Sequence, residues 1–114
     1  MGRVIAVCTY RVKPGQEIPF QDVMGRHYPT LKRLGLVGDA PHLVLRGKDE
    51  ADRPVFVELL PWKAEDGPTI AEQTAEVIAI WERMGSMVEP RAGRPPMEFP
   101  TFVEVLSTGD AERP

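Results

Sequence analysis

A run of β-forming residues opens the chain. Arg3-Val4-Ile5-Ala6-Val7-Cys8-Thr9-Tyr10-Arg11 ends at Lys13-Pro14-Gly15, a turn signal, so residues 3–11 predict a first strand. From Gln16 the period lengthens. Phe20, Val23, Met24, His27, Tyr28, Leu31 and Leu34 fall at offsets 0, 3, 4, 7, 8, 11 and 14, one face of an α-helix. Pro19 lies in the first turn, where a missing amide hydrogen costs little. Pro29 lies inside the helix, where it removes a hydrogen bond and crowds the carbonyl four residues back. The pattern therefore predicts a kink or break near Tyr28 and a short continuation to Gly35.

After the Asp39-Ala40-Pro41 loop, His42 to Gly47 reads as a second strand and Val55 to Trp62 as a third. The short polar connector between them predicts an antiparallel hairpin. A second helix opens near Asp66-Gly67-Pro68-Thr69. Thr69 and Glu72 have capping-box spacing, while Gly67 as cap with Pro68 in the first turn is the alternative. Ile70, Thr74, Val77, Ile78, Trp81, Met84, Gly85 and Val88 then trace one stripe, and Pro90 closes it. A loop over 91–97 leads to a last strand from Glu98 to Leu106. The order β-α-β-β-α-β predicts an α+β, ferredoxin-like fold with an antiparallel sheet. Residues 1–106 are expected to form one such domain and 107–114 a flexible C-terminal tail.

The predicted strands are apolar on both faces. In the first, Val4, Ala6, Cys8 and Tyr10 alternate with Ile5, Val7 and Thr9; in the third, Val55, Val57 and Leu59 alternate with Phe56, Glu58, Leu60 and Trp62. Two helices cover only one face. Each large side chain left in water forgoes roughly 1.5–3 kcal/mol, so the other face predicts a homodimer joined sheet to sheet, a dimeric α/β barrel. A monomer with a mildly apolar sheet face is the plainer alternative.

Composition narrows the function classes. Net charge is −3 and the pI near 5.4, which argues against nucleic acid as a partner. No apolar stretch approaches the ~20 residues of a membrane helix, and no signal-peptide pattern opens the chain. One cysteine, Cys8, allows no internal disulfide and fits a reducing compartment, so a cytoplasmic location is expected.

The chain resembles the dimeric α/β-barrel superfamily, in its antibiotic-biosynthesis-monooxygenase-like branch, over about residues 3–106. The resemblance rests on Tyr10-Arg11-Val12-Lys13-Pro14-Gly15, on Val57-Glu58-Leu59-Leu60-Pro61-Trp62-Lys63 and on Ile80-Trp81-Glu82-Arg83-Met84-Gly85. It implies a homodimer with a small pocket between sheet and helices in each subunit. Members include cofactor-independent oxygenases of polyphenols, quinol oxygenases and haem-degrading enzymes. The haem-degrading members use an Asn, Trp and His set with the His on the second helix. This chain contains no asparagine, and His27 and His42 lie outside that helix. Haem degradation by that route is not expected, and no cofactor is.

His27, on the apolar stripe beside Pro29, is the leading candidate catalytic residue. An imidazole titrating near ~6.5 can take a phenolic or enolic proton. The alternative is a buried histidine satisfied by a nearby carbonyl or carboxylate. Tyr28 would orient a bound carbonyl, or simply reach the surface with its hydroxyl. Trp62 and Trp81 would form apolar walls for a flat ligand, with Met84 beside them; at helical spacing Trp81 and Met84 also read as core. Glu58, inside an apolar strand, is a base of raised pKa or half of an ion pair, with Arg46 on the neighbouring strand as the expected partner. His42 is expected in solvent. Cys8 reads as a small buried hydrophobe. No metal-ligand spacing or phosphate loop stands out, so no metal is expected, though His27 with Glu58 stays open as a ligand pair.

Two readings follow. In one, the protein is a cofactor-independent monooxygenase or isomerase of small aromatic or polyketide-like compounds, which requires a cavity of roughly 300 Å³ or more with His27 on its wall. In the other, it is a non-catalytic ligand-binding or structural dimer, with Trp81, Met84 and Tyr28 filling that space.

Overall fold

The structure, a computed structural model, describes residues 4–106. The expected C-terminal tail therefore lies outside the described residues. The elements are β1 (Val4–Arg11), α1 (Glu17–Arg33), β2 (Leu43–Lys48), β3 (Pro54–Pro61), α2 (Gly67–Glu72), α3 (Ala75–Ser86), β4 (Met97–Glu98) and β5 (Thr101–Val103). The sheet is antiparallel, with β1 at its centre between β3 and the β4/β5 pair and β2 on the far edge. This is the ferredoxin-like arrangement that the pattern predicted, with the second helix and the last strand each divided in two.

Both divisions have local causes. β4 and β5 pair with β1 in one register, Thr9 with Glu98 and Ala6 with Thr101, so nothing slips between them. The gap falls at Pro100. Its carbonyl accepts from the Val7 amide at 2.8 Å, but proline has no N–H to return. Between α2 and α3, Thr74 takes an extended backbone (φ −100, ψ 115). Its hydroxyl donates to the Ile70 carbonyl at 2.8 Å, and its own carbonyl receives the Ile78 amide at 2.9 Å. The β-branched threonine thus closes one helix and opens the next. The helical stripe is redrawn accordingly: Ala71, Val77 and Met84 are buried, while Ile70 and Ile78 are exposed. The capping box does not form either, because α2 begins at Gly67 behind Asp66, with Pro68 in its first turn.

The break expected at Pro29 is absent, and α1 runs through it. The carbonyl four residues back belongs to Gly25. Both residues lie on the exposed side of the helix, where water can take the bond that Pro29 cannot make. The buried side carries Phe20, Val23, Met24, His27 and Leu31. The helix ends at Gly35, whose φ of +73 suits glycine, with the Leu36 amide returning to the Leu31 carbonyl at 3.0 Å.

The helices cover the face of the sheet that carries Ala6, Cys8, Tyr10, Phe56, Glu58 and Leu60, all buried. Phe20 anchors α1 there, with ring centroids 5.2 Å from Tyr10 and 5.1 Å from Phe56. On the opposite face Leu43 pairs with Leu59, Leu45 with Val57 and Ile5 with Phe102. There Leu43, Leu45 and Phe102 are 48%, 51% and 55% exposed, so this apolar face is uncovered in the single chain. Among the described residues no helix is long and apolar enough to cross a membrane.

Candidate functional site

Glu58 is fully buried in the middle of β3 and is the hub of the site. β1 brings Tyr10 to the same face, and its hydroxyl donates to Glu58 Oε1 at 2.6 Å. From α1, His27 Nδ1 stands 3.1 Å from both carboxylate oxygens. His42, just before β2, places Nε2 2.7 Å from Oε2. Burial pushes the Glu58 carboxyl upward, but the hydrogen bonds from His27, His42 and the Tyr10 hydroxyl outweigh it and hold the group at about 2. Glu58 is therefore an ion, not the base of raised pKa that its apolar strand suggested.

The expected partner was also wrong. Arg46 lies one strand over but points away, 3.9 Å from Glu17 and above the Phe56 ring. Nor does His42 sit in solvent; its side chain is 16% exposed and its ring stacks on Tyr28 with centroids 4.1 Å apart. Sequence reading missed both Tyr10 and His42 as partners. A usable signal existed: a buried carboxylate needs donors, and strand alternation puts Tyr10 and His42 on its face.

The hydrogen bonds fix the His27 tautomer. An ionised carboxylate only accepts, so Nδ1 must carry the proton, and the neutral ring then offers a lone pair at Nε2. Trp81 Nε1–H, which only donates, meets that lone pair at 2.9 Å. The chain of contacts thus runs from Glu58 through His27 to Trp81, and no buried side-chain nitrogen or oxygen among the described residues lacks a partner.

His27 and Trp81 both line a cavity of about 240 Å³ between the helix-covered sheet face and the helices. Ala6, Cys8, Tyr10 and Leu60 form its floor, and Met97, Phe99 and Thr101 its outer wall. Trp62, Pro68, Glu72 and Met84 complete the enclosure. Of the residues singled out from sequence, His27, Trp62, Trp81 and Met84 meet at this cavity. Glu58 stands behind His27, and Tyr28, stacked on His42, does not reach the wall. The space is somewhat smaller than the roughly 300 Å³ expected, yet it is open, not packed shut by Trp81, Met84 and Tyr28. The wall is almost wholly apolar, and His27, Trp81, Tyr10, Thr101 and Glu72 supply its polar groups. Burial, with the Glu58 charge adding to it, pushes the Cys8 thiol up to about 12, which makes it a poor nucleophile. No cluster of three or more metal-ligating side chains exists among the described residues.

The α+β topology is shared with solved structures of antibiotic-biosynthesis-monooxygenase-type proteins. The cofactor-independent oxygenase SnoaB from Streptomyces nogalater superposes with a TM-score of 0.71 at 18% identity, over 95% of this chain and 98% of that one. An antibiotic-biosynthesis-monooxygenase-type protein from Bordetella bronchiseptica gives 0.68 at 17% identity, over 93% and 100%. Another from Caulobacter crescentus gives 0.61 at 24% identity, over 90% and 92%. These likenesses establish the fold. No protein-family model and no curated protein sequence matches the chain.

Proposed function

We propose that the protein is a homodimeric, cofactor-independent monooxygenase or isomerase of small aromatic compounds, with His27 as its general base. The observation that carries this reading is the position of His27. It stands on the wall of a ligand-sized apolar cavity, with Nδ1 held by an ionised carboxylate and its basic Nε2 at the opposite end of the ring. A phenol or enol bound there passes its proton to Nε2, and Glu58 stabilises the imidazolium formed. The resulting anion is electron-rich enough to meet dioxygen directly. A phenol and O₂ give a quinone and water in balance, with no external reductant. Trp62 and Met84 supply walls for a flat ring, and the cytoplasm is the compartment that the single cysteine suits. The fold shared with the oxygenase SnoaB supports this reading by analogy alone.

Oxygen uptake on a panel of phenols and quinols tests it. His27→Ala should lower turnover at least ~100-fold while the assembly stays intact. Turnover retained in His27→Ala removes His27 from the mechanism. One observation favours a second reading, a non-catalytic binding protein: in the free protein Trp81 already occupies the His27 lone pair. Tight ligand binding with no oxygen uptake or isomerised product would select it.

A further inference from the structure

Trp62 stands where two spaces meet. On the helix-covered face of the sheet Ala6 pairs with Leu60, and two residues further along each strand the same face carries Val4 and Trp62. Ala6 and Leu60 floor the cavity of about 240 Å³, whereas Val4 borders a second, open groove of about 680 Å³ with Gly38, Pro41 and Lys63. Trp62 alone among the described residues lines both, so it is the wall between them. That wall is firmly held. The Gly38 amide donates to the Pro61 carbonyl at 2.7 Å and the Lys63 amide to the Leu36 carbonyl at 3.0 Å, which pins the backbone on either side of Trp62. The indole lies against Gly67 at the start of α2, so closely that a Cβ there would stand 2.6 Å from Cε3. A ring packed between a pinned strand end and a helix start has little room to swing aside.

The base is supported further back along the same strand. Glu58, which holds His27, lies four residues before Trp62, or ~13 Å of strand, with Leu60 between them on the cavity floor. On the reading above that the cavity takes an aromatic molecule whose hydroxyl meets His27, a ring system that lengthens toward the strand end runs into the indole. We infer that Trp62 is a specificity-determining residue: it limits the ligand to one or two rings, and a smaller side chain there joins the cavity to the groove and admits a third ring in line. The volumes agree. A cavity of ~150 Å³ holds a benzene, so about 240 Å³ suits two fused rings and is too small for three, while the groove beyond Trp62 has space for more.

Calorimetric titration of the intact protein with phenol, 2-naphthol and 2-hydroxyanthracene tests the inference, since each carries one hydroxyl and they differ in length. The unaltered protein should bind 2-hydroxyanthracene about 10-fold less tightly than 2-naphthol, against the trend of ring hydrophobicity. Trp62→Ala should reverse that order. Should Trp62→Ala not fold, Trp62→Leu, which keeps an apolar side chain against Gly67, makes the same comparison and should at least equalise the two. Binding of 2-hydroxyanthracene by the unaltered protein as tight as that of 2-naphthol overturns the inference and leaves the aromatic site standing. So does a ratio that shortening Trp62 leaves unchanged. Failure of phenol and 2-naphthol to bind the unaltered protein overturns the aromatic site itself, and this inference with it.

Discussion

His27 and His42 direct a ring nitrogen each at the same carboxylate, at 3.1 and 2.7 Å from Glu58 Oε2, although fifteen residues and a change of element separate them. With Tyr10 adding a third donor, a single buried anion ties α1, the start of β2 and β1 to the middle of β3. Its removal should therefore be felt by the whole sandwich. Glu58→Gln keeps the shape, loses the charge and turns half of the acceptor into a donor facing donors. Urea unfolding should show a loss of about 2–4 kcal/mol; a midpoint unchanged from the parent protein would mean that the cluster contributes nothing net.

Acid should act through the same group. The unfolded chain protonates Glu58 near 4.5, whereas the folded chain holds it at about 2. As pH falls below 4.5 the unfolded state takes up the proton first, so this contribution is complete above about pH 5 and is lost progressively toward pH 2. Melting temperatures across that range should fall more steeply for the parent protein than for Glu58→Gln. Parallel curves would contradict the assignment.

Gly67 reports on Trp62. A Cβ added at Gly67 would stand 2.6 Å from Trp62 Cε3, so an alanine there must push the indole that walls the cavity. Gly67→Ala should cost roughly 1–3 kcal/mol and weaken ligand binding. Gly85→Ala meets nothing within 4 Å and serves as the control, neutral or slightly stabilising. Gly67→Ala with unaltered melting and binding would show that Trp62 moves freely.

Cys8 should be inert in the folded protein despite bordering the cavity. A thiol at about 12, against the usual 9.0, has about a thousandfold less thiolate at pH 8. Labelling by a disulfide reagent should accordingly be slow until denaturant is added. Above pH 9 the sign is destabilising, because the unfolded thiol ionises while the folded one does not. Prompt native-state labelling would argue against this environment.

The proposed homodimer has a direct measurement. Sedimentation equilibrium should return twice the 12.7 kDa chain mass. Leu45→Glu combined with Phe102→Glu, both on the uncovered sheet face, should yield the monomer with its fold retained. A parent protein that sediments as a monomer at micromolar concentrations leaves that face without the proposed partner.

Much of the fold was legible because it follows from periodicity. The strand alternation of residues 4–11 and 54–61 and the stripe from Phe20 to Leu31 all appear where hydrophobic spacing puts them. What periodicity misses is how single residues satisfy backbone groups. Thr74 and Pro100 divide elements that the pattern joined, and Pro29 fails to divide one because its lost bond faces water. The site was half legible for a related reason. His27 lies on a stripe and is easily noticed, but the partners of Glu58 come from three segments whose registers only the folded sheet fixes. Arg46 was a sound choice by charge and strand adjacency and shares the face of Glu58, but the register sets it opposite Phe56, beside Glu17, while Val44 stands opposite Glu58.

The proline that interrupts the last strand also bears on how firmly the outer wall of the cavity is held. Phe99 and Met97 wall the cavity on the side where the sheet has the shortest ladders, two residues in β4 and three in β5. On the opposite flank of β1 the ladder with β3 runs uninterrupted from Ile5 to Arg11. Local opening follows the fewest bonds. The amides of 97–103 should thus exchange with solvent well before those of β3, so the wall that Met97 and Phe99 give the cavity is the part of the site that yields first while the helices stay seated.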